Sequence, residues 1–197
     1  MKTPFRQQIS EYDCVPTTFL NALSYLFERS EIPPLVVQRI YLYSLDSMMS
    51  QRTMGHGTSG LAVQLLGNWL SGYKHGPFRL NTDYCTGRGV HLRQSNKISK
   101  CLNSKGVALL RVKHQHNSWH YVLGLSVSAN WLYCYDPYTR STKSNKRGKY
   151  EFIAEQGVHA PNLRINCHWL DVLSNRSQYQ LGTSSERECL LLECAKP

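Results

Sequence analysis

The sequence contains no long apolar run. None of its 197 residues lies in a stretch that approaches the roughly 18 apolar residues needed by a membrane-spanning helix. The N-terminus, MKTPFRQQ, has basic side chains but no apolar segment behind them, so it does not resemble a secretory signal peptide. We therefore expect a soluble, cytoplasmic protein without a membrane span, while export by a route without a cleaved signal stays open.

The sequence also lacks a regular cysteine framework. Its seven cysteines, an odd number, include no CxxC pair and lie at positions 14, 85, 101, 134, 167, 189 and 194. An odd number without a signal peptide favours free thiols in a reducing compartment. For every cysteine except Cys14 we expect a small, buried side chain that acts as an apolar residue.

No standard metal-binding pattern is present either. The residues that could form a zinc site all lie in the second half of the chain: His114, His116, His120, Cys134, Cys167 and His168. Their spacings match none of the closely paired cysteines and histidines that zinc sites use. We expect neither a metal ion nor a cofactor.

Positive charge is present in excess. The chain has 23 lysines and arginines against 13 acidic residues, a formal charge of +10, which favours acidic partners. One biased loop, residues 139–149, carries the candidate contacts for such a partner: Arg140, Lys143, Lys146, Arg147 and Lys149. The four tryptophans and twelve tyrosines fall in apolar helix-like and strand-like runs, which indicates core rather than base stacking. Nucleic acid is therefore not the expected partner.

Apolar periodicity predicts helices first and strands second. The predicted helices run from near Cys14 to the prolines after Ile32, from Leu35 to Leu45, from a Thr58 or Ser59 cap to Gly72, and from a Ser95 cap to Gly106. Residues 48–57 are a predicted loop, and residues 74–93 show no clean period. Strand-like runs follow at 107–113, 119–127, 131–135, 150–153 and 188–192.

This order predicts an α+β fold. Hydrophobic residues make up 41% of the chain, which with its length suits one domain over residues 1–197. Helices followed by an antiparallel sheet are typical of α+β domains. We expect a helical part of about 1–105 packed on a sheet part of about 106–197.

Cys14 lies where a helix is predicted to begin. Asp13 is a favourable N-cap residue, and Pro16 is tolerated only in the first turn. Unpaired N–H groups and the helix dipole favour an anion at this end, so they favour the reactive thiolate of a cysteine. The same N–H groups can hold the oxyanion of a tetrahedral intermediate.

His120 and Asp136 are candidates for the other two members of a catalytic triad. His120 begins a predicted strand, and Asp136 follows sixteen residues later at the end of the next strand. Two strands of about seven residues joined by a short turn bring such positions side by side. A carboxylate there can accept from the imidazole and fix its tautomer, as a nucleophile–base–orienter triad requires.

Three segments of the chain resemble the bacteriocin-processing peptidases. They are QISEYDCVPT at residues 8–17, HYV at 120–122 and DP at 136–137, and the resemblance covers roughly residues 5–30 and 105–140. These peptidases are papain-like enzymes that trim double-glycine leader peptides. The resemblance implies a papain-like fold, with Cys14 as nucleophile, His120 as general base and Asp136 as its orienter. It also implies that the Gln8 side chain donates to the oxyanion beside the Cys14 backbone; Gln7 is the neighbour that a one-residue slip would select.

The chain departs from that family at two points. Val15 stands where the family usually has glycine, and its branched side chain would narrow the groove for a double-glycine substrate. No phosphate-binding loop of an ABC transporter is present, so a transport link would need another chain.

The expected function is hydrolysis of an amide bond by a cysteine peptidase or isopeptidase. Two alternatives stay open. One is deamidation or another acyl transfer by the same triad, and the other is a non-catalytic module that binds peptide or nucleic acid.

Overall fold

The computed structural model describes residues 1–44, 57–93, 96–114, 118–140 and 142–195, which form an α+β fold. The helices are α1 Cys14–Leu26, α2 Pro34–Ser44, α3 Gly60–Gly72, α4 Lys97–Asn103 and α5 Cys167–Asp171. The strands are β1 Leu80–Thr86, β2 Val107–Lys113, β3 Trp119–Ser128, β4 Trp131–Tyr135, β5 Tyr150–Phe152, β6 Leu163–Asn166 and β7 Glu188–Cys194. They form one antiparallel, seven-stranded sheet in the order β1-β7-β2-β3-β4-β6-β5. None of the helices in these ranges has the length and apolar character to cross a membrane.

Helices cover both faces of the sheet. Successive strand residues point to opposite faces, so Leu109 and Leu110 of β2 are both buried yet belong to different apolar clusters. Leu109 shares its cluster with Phe19 of α1 and with residues of α2 and α3, whereas Leu110 shares its cluster with Ile98 of α4. Burial on both faces explains why β2 is a continuous apolar run rather than an alternating one.

The first two helices differ from their predicted bounds at the prolines. Helix α1 begins at Cys14 as predicted but ends at Leu26, and a 3-10 turn at Arg29–Glu31 separates it from α2. The prolines after Ile32 therefore do not end α1. Pro34 instead begins α2, because proline is tolerated at the first helical position. Residue 45 and all of the predicted loop except Gly57 lie outside the described residues.

Side-chain caps fix the starts of α3 and α4. Of the two predicted caps for α3, Ser59 forms the contact and accepts from the Ala62 N–H at 3.2 Å. The predicted cap of α4, Ser95, lies outside the described residues. Asn96 caps α4 and accepts from the Ser99 N–H at 2.7 Å.

Strands β2, β3 and β4 lie where the apolar runs predict them, but β1, β6 and α5 were not predicted. Strand β1, with the sequence LNTDYCT, is at one end of the sheet and pairs only with β7. Its Asn and Asp residues have low strand propensity, which explains the missing signal. The sheet therefore extends into the first half of the chain, contrary to the predicted division near residue 105. Strand β6 and helix α5 were also missed; they have only four and five residues.

Candidate active site

Cys14 opens onto a cavity at one end of the sheet. Its side chain is mostly buried and lines a space of about 590 Å³ together with Gln8, His120 and Tyr138. Helix α1 is anchored beside the base, because the Thr18 hydroxyl donates to the Tyr121 carbonyl at 3.2 Å. Two adjacent elements, the first turn of α1 and the start of β3, therefore place thiol and imidazole against the same cavity.

Asp13 organises the arm that precedes α1. Its carboxylate accepts from the backbone N–H groups of Ile9 at 2.9 Å and of Ser10 at 2.7 Å. Partial burial opposes its ionisation, but these hydrogen bonds keep the pKa of Asp13 below its ordinary value. Asp13 is the N-cap residue of α1, as predicted. Its carboxylate accepts from backbone N–H groups of the arm rather than of the helix, and its backbone carbonyl accepts from the Thr17 N–H.

His120 and Asp136 form a short, buried polar contact. The Nε2 atom of His120 lies 2.7 Å from Oδ1 of Asp136, and both side chains are buried. His120 is set by the β2–β3 register, in which it pairs with Val112, and Asp136 directly follows β4. Because Nε2 faces the carboxylate, Nδ1 is the ring nitrogen left to face Cys14, whose thiol contributes to the raised pKa of His120.

The ionisation of this pair follows from its neighbours. Burial alone would lower the pKa of His120, but the charge and hydrogen bond of Asp136, with smaller contributions from Cys14, raise it to about 10. Burial would raise the pKa of Asp136, yet the charge and hydrogen bond of His120 and the charge of Arg140 hold it well below its usual range. Imidazolium and carboxylate are therefore the favoured forms at neutral pH.

Gln8 lies in the same cavity, as the resemblance implies. Its backbone N–H donates to the Pro137 carbonyl at 2.9 Å, and its side-chain Nε2 donates to the Ser10 carbonyl at 2.7 Å. An amide nitrogen has two N–H groups, so one remains for a second acceptor. Gln7 does not line the cavity; its side chain accepts from the Thr139 hydroxyl on the surface.

Sequence reasoning missed the contacts behind Asp136. Its Oδ2 atom accepts from the Tyr179 hydroxyl at 2.6 Å and from Arg140 Nη2 at 3.2 Å. The Asn162 side chain also holds its backbone, accepting from the Asp136 N–H at 2.7 Å and donating to its carbonyl at 2.9 Å. Both carboxylate oxygens and the backbone of Asp136 are thereby held in place.

Tyr179 has an unusual backbone conformation. Its φ of 59° lies in the left-handed region, which is uncommon for a bulky residue. Two backbone hydrogen bonds of 2.8 Å hold this conformation. The Tyr179 N–H donates to the Lys113 carbonyl, and the Lys113 N–H donates to the Gln180 carbonyl. Tyr179 is far from Asp136 in sequence and lies in a segment without periodicity, so no sequence signal identifies it.

Arg140 does not belong to an exposed basic surface, contrary to the prediction. Its side chain is only 7% exposed, and Nη2 contacts the Tyr179 hydroxyl at 2.7 Å and His114 Nε2 at 3.2 Å as well as Asp136. The other four basic residues of the loop are exposed: Lys143, Lys146, Arg147 and Lys149. Arg140 is therefore removed from the candidate contacts with an acidic partner.

The remaining cysteines differ in exposure. Cys85, Cys101, Cys134 and Cys189 are buried as predicted, whereas Cys167 is half-buried and Cys194 is exposed. The described part of the chain contains no group of three or more His, Cys, Asp or Glu side chains that could hold a metal ion. His116 lies outside the described residues.

A larger cavity of about 770 Å³ lies elsewhere, between α4 and α5. Its one carboxylate, Asp171, accepts from the Leu92 N–H at 2.9 Å and from Arg187 Nη1 at 3.2 Å. None of the predicted site residues lines this cavity. The smaller cavity is the better candidate because it alone joins a nucleophile to an oriented base.

Two sequence comparisons with known proteins identify no relative of this chain. The chain matches no protein-family model, and a sequence search of curated proteins finds no match.

Proposed function

We propose that this chain is a single-domain, papain-like cysteine hydrolase that cleaves amide bonds, with Cys14 as nucleophile. The observation that carries the proposal is the buried Cys14–His120–Asp136 sequence of contacts, in which the Nε2–Oδ1 distance is 2.7 Å. In an activated nucleophile, a histidine contacts a carboxylate through one ring nitrogen and faces the thiol through the other.

The proposed reaction has two halves. In the first, the Cys14 thiolate attacks the amide carbonyl, and the Nδ1 proton of His120 passes to the leaving amine, which leaves a thioester on Cys14. In the second, His120 takes a proton from water, the hydroxide attacks the thioester carbonyl, and the acid product leaves as the thiolate reforms. Asp136 accepts from Nε2 throughout and exchanges no proton.

Two donors are available for the oxyanion. Cys14 is the first residue of α1, so its backbone N–H has no partner within the helix. The second donor is Nε2 of Gln8, which is held near the cavity by the bonds of its backbone to Pro137 and of its amide to Ser10. Donors that are fixed before the reaction stabilise developing charge without reorganisation.

The cavity walls suit a peptide rather than a small metabolite. Trp119 and Tyr12 supply apolar surface, while Arg111 and Glu11 supply charges of opposite sign. Arg111 stacks on Trp119 with its guanidinium carbon 4.3 Å from the ring centre. An extended chain needs several separated apolar and polar contacts of this kind. Peptide or isopeptide hydrolysis is the reaction that these walls favour.

The test is digestion of a peptide library by the wild type beside Cys14→Ala, read by mass spectrometry. We expect new peptide ends in the wild-type sample only, and a Cys14-linked acyl-enzyme on rapid acid quenching. Cys194→Ala removes an exposed thiol and is the matched control. Conversion of glutamine to glutamate, or addition of an amine to a substrate, would identify deamidation or acyl transfer instead. Identical digests from wild type and Cys14→Ala would contradict the proposal and favour a binding module.

A further inference from the structure

Four side chains of alternating charge form a continuous series of contacts in the site. With the thiol ionised, the order is Cys14 (negative), His120 (positive), Asp136 (negative) and Arg140 (positive). The final contact, from Arg140 Nη2 to Asp136 Oδ2, is 3.2 Å long. With Arg140 included the series is neutral, and without it a net negative charge would remain in the protein interior.

Arg140 is a permanent and desolvated cation. A guanidinium does not deprotonate in proteins, and this one lies 4.9 Å from the ring centre of Tyr138, 5.5 Å from that of Tyr179 and 5.6 Å from that of Phe152. Charges act on one another more strongly in such surroundings than in water. Arg140 is therefore placed to influence the ionisation of the groups beyond Asp136.

We propose that Arg140, assisted by the Tyr179 hydroxyl, is a positioning residue that sets the pH range in which Cys14 and His120 form a charged pair. Both residues donate to Oδ2 of Asp136, whereas Oδ1 contacts His120 and also accepts from the Tyr138 N–H at 2.9 Å. They thereby fix the carboxylate and offset part of its negative charge, which would otherwise oppose the thiolate. The inference rests on the Cys14–His120 pair of the proposed function.

The direction of the effect follows from charge alone. Loss of the Arg140 cation makes the thiolate harder to form. In a plot of Cys14 reactivity against pH, the acidic limb, where reactivity rises, therefore moves to higher pH. The same loss leaves Asp136 more negative toward His120, so the imidazolium persists longer and the alkaline limb also moves up. The other titratable or charged groups that face these residues are not substituted in the Arg140 and Tyr179 variants: Glu11, Asp13, Arg111, His114, Tyr138 and Tyr150.

The experiment measures the alkylation rate of Cys14 by iodoacetamide against pH, with the Cys14 peptide quantified by mass spectrometry. It needs no substrate and is run on the wild type, Arg140→Gln, Arg140→Lys and Tyr179→Phe. We expect Arg140→Gln to move both limbs upward by about one pH unit. Arg140→Lys, which keeps the charge, should stay close to the wild type, and Tyr179→Phe should shift in the same direction by less.

Two variants serve as matched controls. Arg187→Gln breaks the other buried arginine–aspartate pair, in which Nη1 lies 3.2 Å from Asp171 Oδ1. Tyr150→Phe removes the hydroxyl of a ring that packs 4.8 Å from Tyr179 and that donates to Gln178 rather than to Asp136. Neither control should move the limbs, because Arg187 pairs with Asp171 and the Tyr150 hydroxyl with Gln178, so neither removes a charge or a hydrogen bond from Asp136.

The possible outcomes separate this inference from the proposed function. Fast wild-type alkylation of Cys14 with unmoved limbs in Arg140→Gln overturns the inference and leaves the triad intact. Slow, featureless alkylation of wild-type Cys14 overturns the triad and the inference with it. If Arg140→Gln does not fold, Tyr179→Phe decides, since limbs that coincide with those of Tyr150→Phe would overturn the role assigned to Oδ2.

Discussion

The backbone N–H of Gln8 donates to the carbonyl of Pro137 at 2.9 Å. This bond ties the arm before α1 to the segment after β4, so the candidate oxyanion donor and the orienting Asp136 sit on one joined unit. The Tyr138 hydroxyl, which donates to Glu11 at 3.2 Å, adds a second link between the same two segments. Movement of either segment would therefore disturb both ends of the site.

Gln8→Ala should lower kcat/KM by roughly two to three powers of ten, because one oxyanion donor is worth about 3–4 kcal/mol. The Cys14 backbone N–H remains, so activity should not vanish. The bond from the Gln8 backbone to Pro137 is also kept, so the arm should stay in place. Steady-state kinetics on a cleaved peptide measures the effect, and Gln7→Ala is the neighbouring control. An equal loss in both variants would indicate disruption of the arm rather than loss of a donor.

Cys14 should be the fastest of the seven thiols to alkylate near neutral pH. His120→Ala should slow that labelling, since it removes the cation that pairs with the thiolate. The exposed Cys194, whose pKa is raised by partial burial, is the comparison thiol in the same sample. Site-resolved mass spectrometry of a short iodoacetamide pulse gives both rates. Equal labelling of Cys14 and Cys194 in the folded protein would contradict an activated nucleophile.

Substitution of the triad should rank its members by chemical role. Cys14→Ala should abolish turnover, because no other group on the cavity wall can form the thioester. His120→Ala should be nearly as severe, since it removes both base and proton donor. Asp136→Ala should cost less, because it removes orientation alone. Single-turnover rates with circular dichroism as the check on folding would measure the order, and a fully active Cys14→Ala would reverse it.

Local chemistry explains how much of the site could be predicted from the sequence. The start of α1 follows from Pro16, which is tolerated only in a first turn, and strands β2 to β4 follow from their apolar runs. The side-chain pairing of His120 with Asp136 follows in turn from two antiparallel strands joined by a short connection. Each of these signals lies within a few residues of the feature that it predicts.

The contacts behind Asp136 could not be predicted in this way. Tyr179 reaches the carboxylate from 43 residues away, and its left-handed backbone depends on pairing with Lys113 in a distant strand. Arg140 was assigned to an exposed loop because its sequence neighbours are basic and polar. Composition reports the average surroundings of a segment, whereas the burial of one side chain depends on tertiary packing.

Neutralising the exposed basic residues together should leave turnover of a short uncharged peptide nearly unchanged. The set to convert to glutamine is Lys143, Lys146, Arg147 and Lys149, all of which are exposed. Any effect should appear as weaker binding of an acidic partner, and raised salt should reduce it because exposed charges are screened. Titration with an acidic peptide at two ionic strengths measures this. A loss of activity on the uncharged peptide would place the loop in the active site.

The free energy of unfolding should depend on pH through His120. Burial opposes the charged ring, but Asp136 and Cys14 raise the pKa of His120 in the folded chain from 6.5 to about 10. The folded state therefore holds a proton that the unfolded state has lost, so this stabilisation is complete below pH 6.5 and is lost as the pH rises through about 10. Asp136 has the opposite sign, since its lowered pKa stabilises the fold above about pH 4 and that contribution is lost on acidification.

Urea denaturation of Cys14→Ala between about pH 6 and 8 isolates the histidine, because this window lies below the ordinary cysteine pKa of about 8.5, so the other thiols keep most of their protons in the unfolded chain. Unfolding free energy should fall with rising pH by at most about 1.4 kcal/mol per unit, the slope for one retained proton. The decrease in unfolding free energy should be smaller than in the wild type, because Cys14 no longer contributes to the raised pKa of His120. Asp136 alone still favours the imidazolium. Adding His120→Gln should remove this slope, whereas adding His168→Gln, at an exposed position, should leave it. A slope that survives His120→Gln would assign the titration to another group and leave His120 neutral in the folded protein.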